Sequence, residues 1–126
     1  MMKTKIQFEC EKNPTEEVCG FIVLEDDELK VMPTENKSTN PSKHFYIPAK
    51  EFLYIKTKHN LVGIYHSHCI GSEKPSDFDK STAELTCYPF VIYSLETNMF
   101  GLYKPENCDV EFELVKKLKE ELAWLK

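Results

Sequence analysis

The chain has 126 residues, 41% of them hydrophobic, which suits one compact domain around one core. Its formal net charge is −5, and all 16 of its Lys and Arg positions are lysine. With no basic stripe to track a phosphate backbone and no guanidinium fork, nucleic acid is not expected as a partner.

No apolar run approaches the roughly 20 residues that span a bilayer. Lys3 and Lys5 near the N-terminus are not followed by the apolar run of a signal peptide. A cytoplasmic protein with no membrane partner is therefore expected. The five cysteines, Cys10, Cys19, Cys69, Cys87 and Cys108, contain no C-x-x-C pair. All but Cys69, which lies beside the histidines discussed below, read as reduced, mostly buried thiols, and the spacing argues against a zinc ribbon or a thioredoxin-type site.

Residues 4–12 predict a short helix closed by Asn13-Pro14. The apolar run Val18 to Leu24 predicts a buried strand over about 18–25. The acidic turn Glu25 to Glu28 and a return strand from Leu29 to Met32 complete a hairpin. Residues 33–43, rich in Pro, Asn, Ser and Thr, predict a loop, and His44 to Ile47 a short strand. Pro48 opens a helix that continues from Ala49 to Lys58. Leu61 to Tyr65 predicts an apolar strand running straight into His66. A loop over 69–75 follows, then a helix from Ser76 to about Thr86, then strands over 89–95 and 98–104 joined by a turn at 96–98. From Asp109, a plausible N-cap, Val110, Leu114, Val115, Leu118, Leu122 and Leu125 fall on one face of a closing helix. That stripe is expected to meet the core or a second copy, with Trp124 over an apolar patch. There is no repeat or linker. Residues 1–126 are one domain, an α+β sandwich with helices flanking a mixed, mostly antiparallel sheet.

The chemistry lies in His66-Ser67-His68. Alternate residues of an extended segment point to one side, so both imidazoles can grip one ion. Ser76 and Asp79 lie three apart at a helix start, on one face. Alone, that pair reads as a capping box, and a cap is compatible with aiming Asp79 back at the histidines. His66, His68 and Asp79 then make three zinc ligands and leave one tetrahedral position open, as in catalytic sites. A base is also needed, and Glu17, just before the first strand, is the candidate. On its own it reads more readily as a solvated acid beside Glu16, the common fate of a glutamate. Gly20 allows close approach of backbone. His44 and His59 read as ordinary structural or surface histidines.

Glu17-x-x-Gly20, His66-Ser67-His68 and, after a seven-residue spacer, Ser76-x-x-Asp79 resemble the JAMM (MPN/Mov34) zinc metallopeptidases. The resemblance implies their cytidine-deaminase-like fold and hydrolysis of peptide or isopeptide bonds, often beside ubiquitin-like proteins. It implies Zn2+ on His66, His68 and Asp79, Glu17 as general acid/base, and Ser76 as the hydrogen-bond donor to the oxyanion. A nearer likeness, through the Asn36 loop, Phe45 to Phe52, Pro75 to Lys80 and Tyr88 to Ser94, is to the JAMM domains of phage tail-assembly protein K. Such proteins often continue into an NlpC/P60-type cysteine peptidase, so this chain is expected to be a stand-alone version or a fragment. The implied partner is a protein or peptide, either ubiquitin-like or a phage tail protein, met in the host cytoplasm or the virion tail. Alternatives are a scaffold or assembly module and a peptidoglycan peptidase. Cys69 stands where the family usually has proline, and a thiol there could close the open position.

Overall fold

The computed structural model describes residues 1–123. Its elements are α1 (Met2–Glu11), β1 (Cys19–Glu25), β2 (Glu28–Thr34), α2 (Ala49–Lys58), β3 (Asn60–His68), α3 (Asp77–Thr86), β4 (Phe90–Ser94), β5 (Phe100–Tyr103) and α4 (Phe112–Ala123). The strands form one sheet in the order β2-β1-β3-β4-β5. Only β3 and β4 run parallel, and the other neighbours are antiparallel. A parallel pair cannot be joined by a tight turn. The crossover needed here contains the 69–76 loop and α3, and so the histidine strand leads directly into the segment that carries Ser76 and Asp79.

Two apolar layers cover the sheet. On one face Ile22, Val62, Tyr65, Val91 and Tyr93 meet Met2, Ile6 and Cys10 of α1 and Leu118 of α4. On the other, Phe21, Val23, Ile64 and Phe90 meet Phe45, Ile55 of α2 and Ala83 of α3. The period-2 alternation of the strands sorts their side chains between these layers, with a register shift in β3 at Val62 that lets Val62 and Tyr65 share a face. The result is the expected α+β sandwich. No described helix is long and apolar enough to cross a membrane.

Several boundaries differ from the sequence expectation. Helix α1 starts at Met2 because Met2 continues the i, i+4 series of Ile6 and Cys10 and is itself buried. The hairpin turn falls where expected, centred on Asp26-Asp27, both with positive φ (53° and 63°), the conformation that matches the twist of the flanking strands. Strand β2 runs on through Pro33 and Thr34, which pair with Gly20 and Cys19. Pro33 is tolerated there because β2 is an edge strand, with an outer side that needs no N–H partner.

The segment 44–47 is not a strand. It is held by loop contacts instead: Asn36 donates to the carbonyls of His44 (3.0 Å) and Glu17 (2.8 Å) and accepts from Tyr46 N (3.0 Å), Lys37 N donates to the Tyr46 carbonyl (3.0 Å), and His44 N donates to the Asn40 carbonyl (3.0 Å). Asp109 is not an N-cap, since α4 begins at Phe112. The Asp109 amide instead donates to the Cys87 carbonyl (2.8 Å), fastening the chain to the end of α3. The α4 stripe packs on the core through Val115 and Leu118, with Leu114 and Leu122 at its margin. Trp124 and Leu125 lie outside the described residues.

Gly20 is needed mainly for a side chain. A Cβ at this position would overlap the Tyr65 ring and come within 2.6 Å of the Met32 carbonyl oxygen. Glycine at this position therefore leaves room for the ring of a core tyrosine beside the strand that follows Glu17.

Candidate metal centre

His66 and His68 are both within β3, near its C-terminal end, and point to the same face. His66 is fully buried, stacked on Phe45 with ring centroids 4.4 Å apart. His68 is half-buried at the strand's last position. Ser76 is the N-cap of α3: its Oγ accepts from Asp79 N (3.0 Å), and Ser76 N donates to Asp79 Oδ2 (2.9 Å). This reciprocal box sets the helix start and the direction of the Asp79 carboxylate. Oδ2 is 2.8 Å from His68 Nε2, and Oδ1 is 3.0 Å from His66 Nε2.

His68 Nδ1 lies 2.7 Å from the Ser72 carbonyl oxygen. A carbonyl can only accept, so Nδ1 carries a proton and Nε2 is the nitrogen available to a metal. Burial pulls the His68 pKa down, but the contacts with Asp79 and Ser72 outweigh it and raise the pKa overall. His66 is lowered by burial. Burial pushes the Asp79 carboxyl up, yet its contacts with both histidines and the Ser76 N–H outweigh that and hold it far below the usual carboxylate range.

The three side chains fit a metal. Their ligand atoms lie within 4.8 Å of one another, the one such group among the described residues. His66 makes the point most sharply. Neither of its ring nitrogens makes an aligned hydrogen bond, although the residue has no exposed surface and Nε2 is close to Asp79. An unsatisfied buried imidazole is costly, and a cation accepting its lone pair removes much of that cost. Two imidazoles and a carboxylate are a donor set that zinc takes readily.

Glu17 sits beside this group. Its neighbour Glu16 is exposed, but Glu17 is buried. Register is the reason. Strands β1 and β3 are antiparallel with Cys19 opposite His66, and the pairing continues outward through Val18. Val18 N donates to Ser67 Oγ (2.9 Å), and Ser67 N donates to the Val18 carbonyl (3.0 Å). Asn36 holds the Glu17 carbonyl from the other side. Burial pushes the Glu17 carboxyl up to about 8, with His68 acting downward and Asp79 upward, so it lies within electrostatic reach of both.

The structure thus brings His66, His68 and Asp79 together with Ser76 in the cap and Glu17 alongside. His44 and His59 are not in the group. His44 packs on Phe78 of α3 (ring centroids 4.3 Å). The supporting roles of Asn36, Phe45 and the Ser72 carbonyl were not legible in the sequence, because each depends on loop contacts that carry no period. Cys69 is not in the group either, and burial followed by the charges of Glu17 and Glu16 raises its thiol pKa. Cys69→Pro, the family residue, is expected to leave the metal content of purified protein unchanged by elemental analysis. Loss of zinc in this variant would make the thiol a ligand.

Residues 2–107 match the model of the prokaryotic homologs of the JAB domain, and the chain belongs to that family. It is 28% identical over 78 residues to the tail tip assembly protein K of Escherichia phage N15, an alignment covering 62% of this chain and 32% of that protein. The chain therefore spans about a third of the length of that relative. Among solved structures, a Desulfitobacterium hafniense protein is similar with a TM-score of 0.59 at 19% identity, over 88% of this chain and 92% of the other. A Salinibacter ruber protein is similar with a TM-score of 0.50 at 17% identity, over 81% of this chain and 76% of the other. A JAB1/MPN domain protein of Archaeoglobus fulgidus gives a TM-score of 0.45 at 21% identity, over 86% and 88% of the two chains.

Proposed function

We propose that this domain is a zinc-dependent hydrolase of peptide or isopeptide bonds. The observation that carries the proposal is the buried carboxyl of Glu17, raised to about 8, beside a His-His-Asp group that fits a metal. His66, His68 and Asp79 would hold the zinc. When bound, zinc supplies Lewis acidity, which acidifies a water and polarises a carbonyl.

Glu17 accepts the proton of the attacking water and returns it to the departing amine, so the carboxylate is regenerated at each turnover. A carboxyl perturbed towards neutrality suits both directions of transfer, and it would sit lower with positive charge beside it. Ser76 Oγ accepts from Asp79 N in the cap, which leaves its own proton free to donate to the tetrahedral oxyanion. Ser76 is exposed, where a substrate carbonyl can reach it.

The substrate is a protein or peptide. The likeness to a phage tail tip assembly protein favours a tail protein as its source, with a ubiquitin-like protein or the peptide part of a cell wall as alternatives. A metal-free assembly module is the competing reading. Purified protein is expected to carry about one zinc per chain, as in three-ligand catalytic sites. Its cleavage of a peptide panel should stop on chelation and return on adding zinc. Absence of bound zinc and indifference to the chelator would favour the assembly module.

A further inference from the structure

His68 is the last residue of β3, so the sheet does not hold its ring. Opposite its Asp79 contact, the ring is held at Nδ1 by the carbonyl of Ser72, an exposed residue in the 69–76 loop. The loop has little packing of its own: Ile70 is 86% exposed, and Gly71 takes φ +94°. Its order comes from the β4–β5 connection.

Ser94, fully buried, donates from Oγ to the Gly71 carbonyl at 2.6 Å. The same Oγ accepts from the amides of Glu96 (3.2 Å) and Thr97 (3.1 Å), so all of its hydrogen-bonding directions are engaged. Gly71 N donates to the Glu96 carboxylate (3.1 Å), and Thr97 Oγ1 donates to the Glu73 carboxylate (2.8 Å). The Glu73 carbonyl lies against Gly101 of β5, where a Cβ would overlap it. Ser94 is also the register partner of His68, whose carbonyl accepts from Leu95 N (3.0 Å).

Gly71 and Glu73, the residues on either side of Ser72, are thus both fixed by β4, β5 and their turn. We infer that Ser94 is a positioning residue for the metal ligand His68, acting through Gly71 on the Ser72 carbonyl that orients the imidazole. Gly101 supports the same carbonyl from the other side by giving Glu73 room. The inference rests on the metal reading above in taking His68 as a ligand. Its physical content is that the Ser72 carbonyl, by accepting from Nδ1–H, favours the tautomer whose Nε2 lone pair faces the metal and shields that N–H from exchange.

The test uses the full chain with three substitutions, Ser94→Ala, Gly101→Ala and Leu118→Ala. The last removes a core side chain from the opposite face of the sheet and serves as a destabilised control. Zn2+ affinity is measured by competition with a chelator. The His68 Nδ1–H is followed by imidazole 1H–15N correlation in the metal-free protein.

Ser94→Ala and Gly101→Ala are expected to bind Zn2+ on the order of 10–100-fold more weakly, the usual cost of losing an outer-shell partner. Both should lose or broaden the His68 Nδ1–H signal. Leu118→Ala should melt lower yet keep the affinity and the signal. Wild-type affinity with the signal intact in Ser94→Ala would overturn the inference. So would an equal loss of affinity in Leu118→Ala, because Ser94 would then matter only for general stability. If Ser94→Ala does not fold, Gly101→Ala decides by the same two readouts. If the wild-type protein binds no Zn2+, the functional reading fails, and the Nδ1–H signal alone decides the role of Ser94.

Discussion

On the proposed mechanism, Glu17→Gln is expected to lower turnover by on the order of 10²–10⁴ while leaving zinc binding unchanged, because there it would remove the proton acceptor and no ligand. In the metal-free protein the same change should stabilise the fold. Burial raises the Glu17 pKa to about 8, so the folded state holds a proton that the unfolded chain releases above its ordinary carboxylate pKa. Stability therefore falls as pH rises from about 4.5 to about 8, and the deficit is complete above that window. Glutamine carries no such deficit. The gain should be absent near pH 4 and reach on the order of a few kcal/mol at pH 8, the exchange of stability for activity expected of a strained site. Melting both metal-free proteins at the two pH values checks this, and turnover with zinc analysis checks the first part. A variant that cleaves at the wild-type rate would remove Glu17 from the mechanism, and one that loses zinc would make it a ligand.

Asp79→Asn should behave in the opposite way on both counts. An amide is a poor zinc ligand, so the affinity should fall by more than the roughly 10–100-fold typical of an outer partner. The Asp79 pKa is depressed in the fold, so its contribution to stability is present above the ordinary carboxylate pKa and is lost only as pH falls through the lowered value. At neutral pH that contribution is at full strength, and asparagine forfeits it. The metal-free variant is therefore expected to melt below wild type at pH 7, whereas metal-free Glu17→Gln melts above it. Isothermal titration with Zn2+ and thermal melting at pH 7 test the pair together. Undiminished zinc affinity in Asp79→Asn would show that the carboxylate orients the histidines without binding the ion.

The parts of the site readable from sequence are those that depend on short-range geometry. His66 and His68 share a face because an extended chain has period two. Ser76 and Asp79 share a helix start because a capping box spans three residues, and the box is present. The hairpin at Asp26-Asp27 and the apolar face of α4 were legible for the same reason. Each involves neighbours whose relation is set by the backbone within a turn or two.

Long-range pairing decided the rest. Glu16 and Glu17 are equivalent acids to any local reading. The register of Cys19 against His66, with Val18 bonded to Ser67, buries Glu17 beside the metal group and leaves Glu16 in solvent. His44 to Ile47 has the composition of a strand, yet no sheet edge reaches it, and Asn36 holds it as a loop. Asp109 has the chemistry of an N-cap, but its amide is taken by Cys87 and the helix starts at Phe112. The tether from Ser94 to the loop behind His68 spans 23 residues and follows from the parallel pairing of β3 with β4. Contacts at that separation depend on which strands become neighbours, a choice made by the packing of the whole sheet and not by any local stretch of chain.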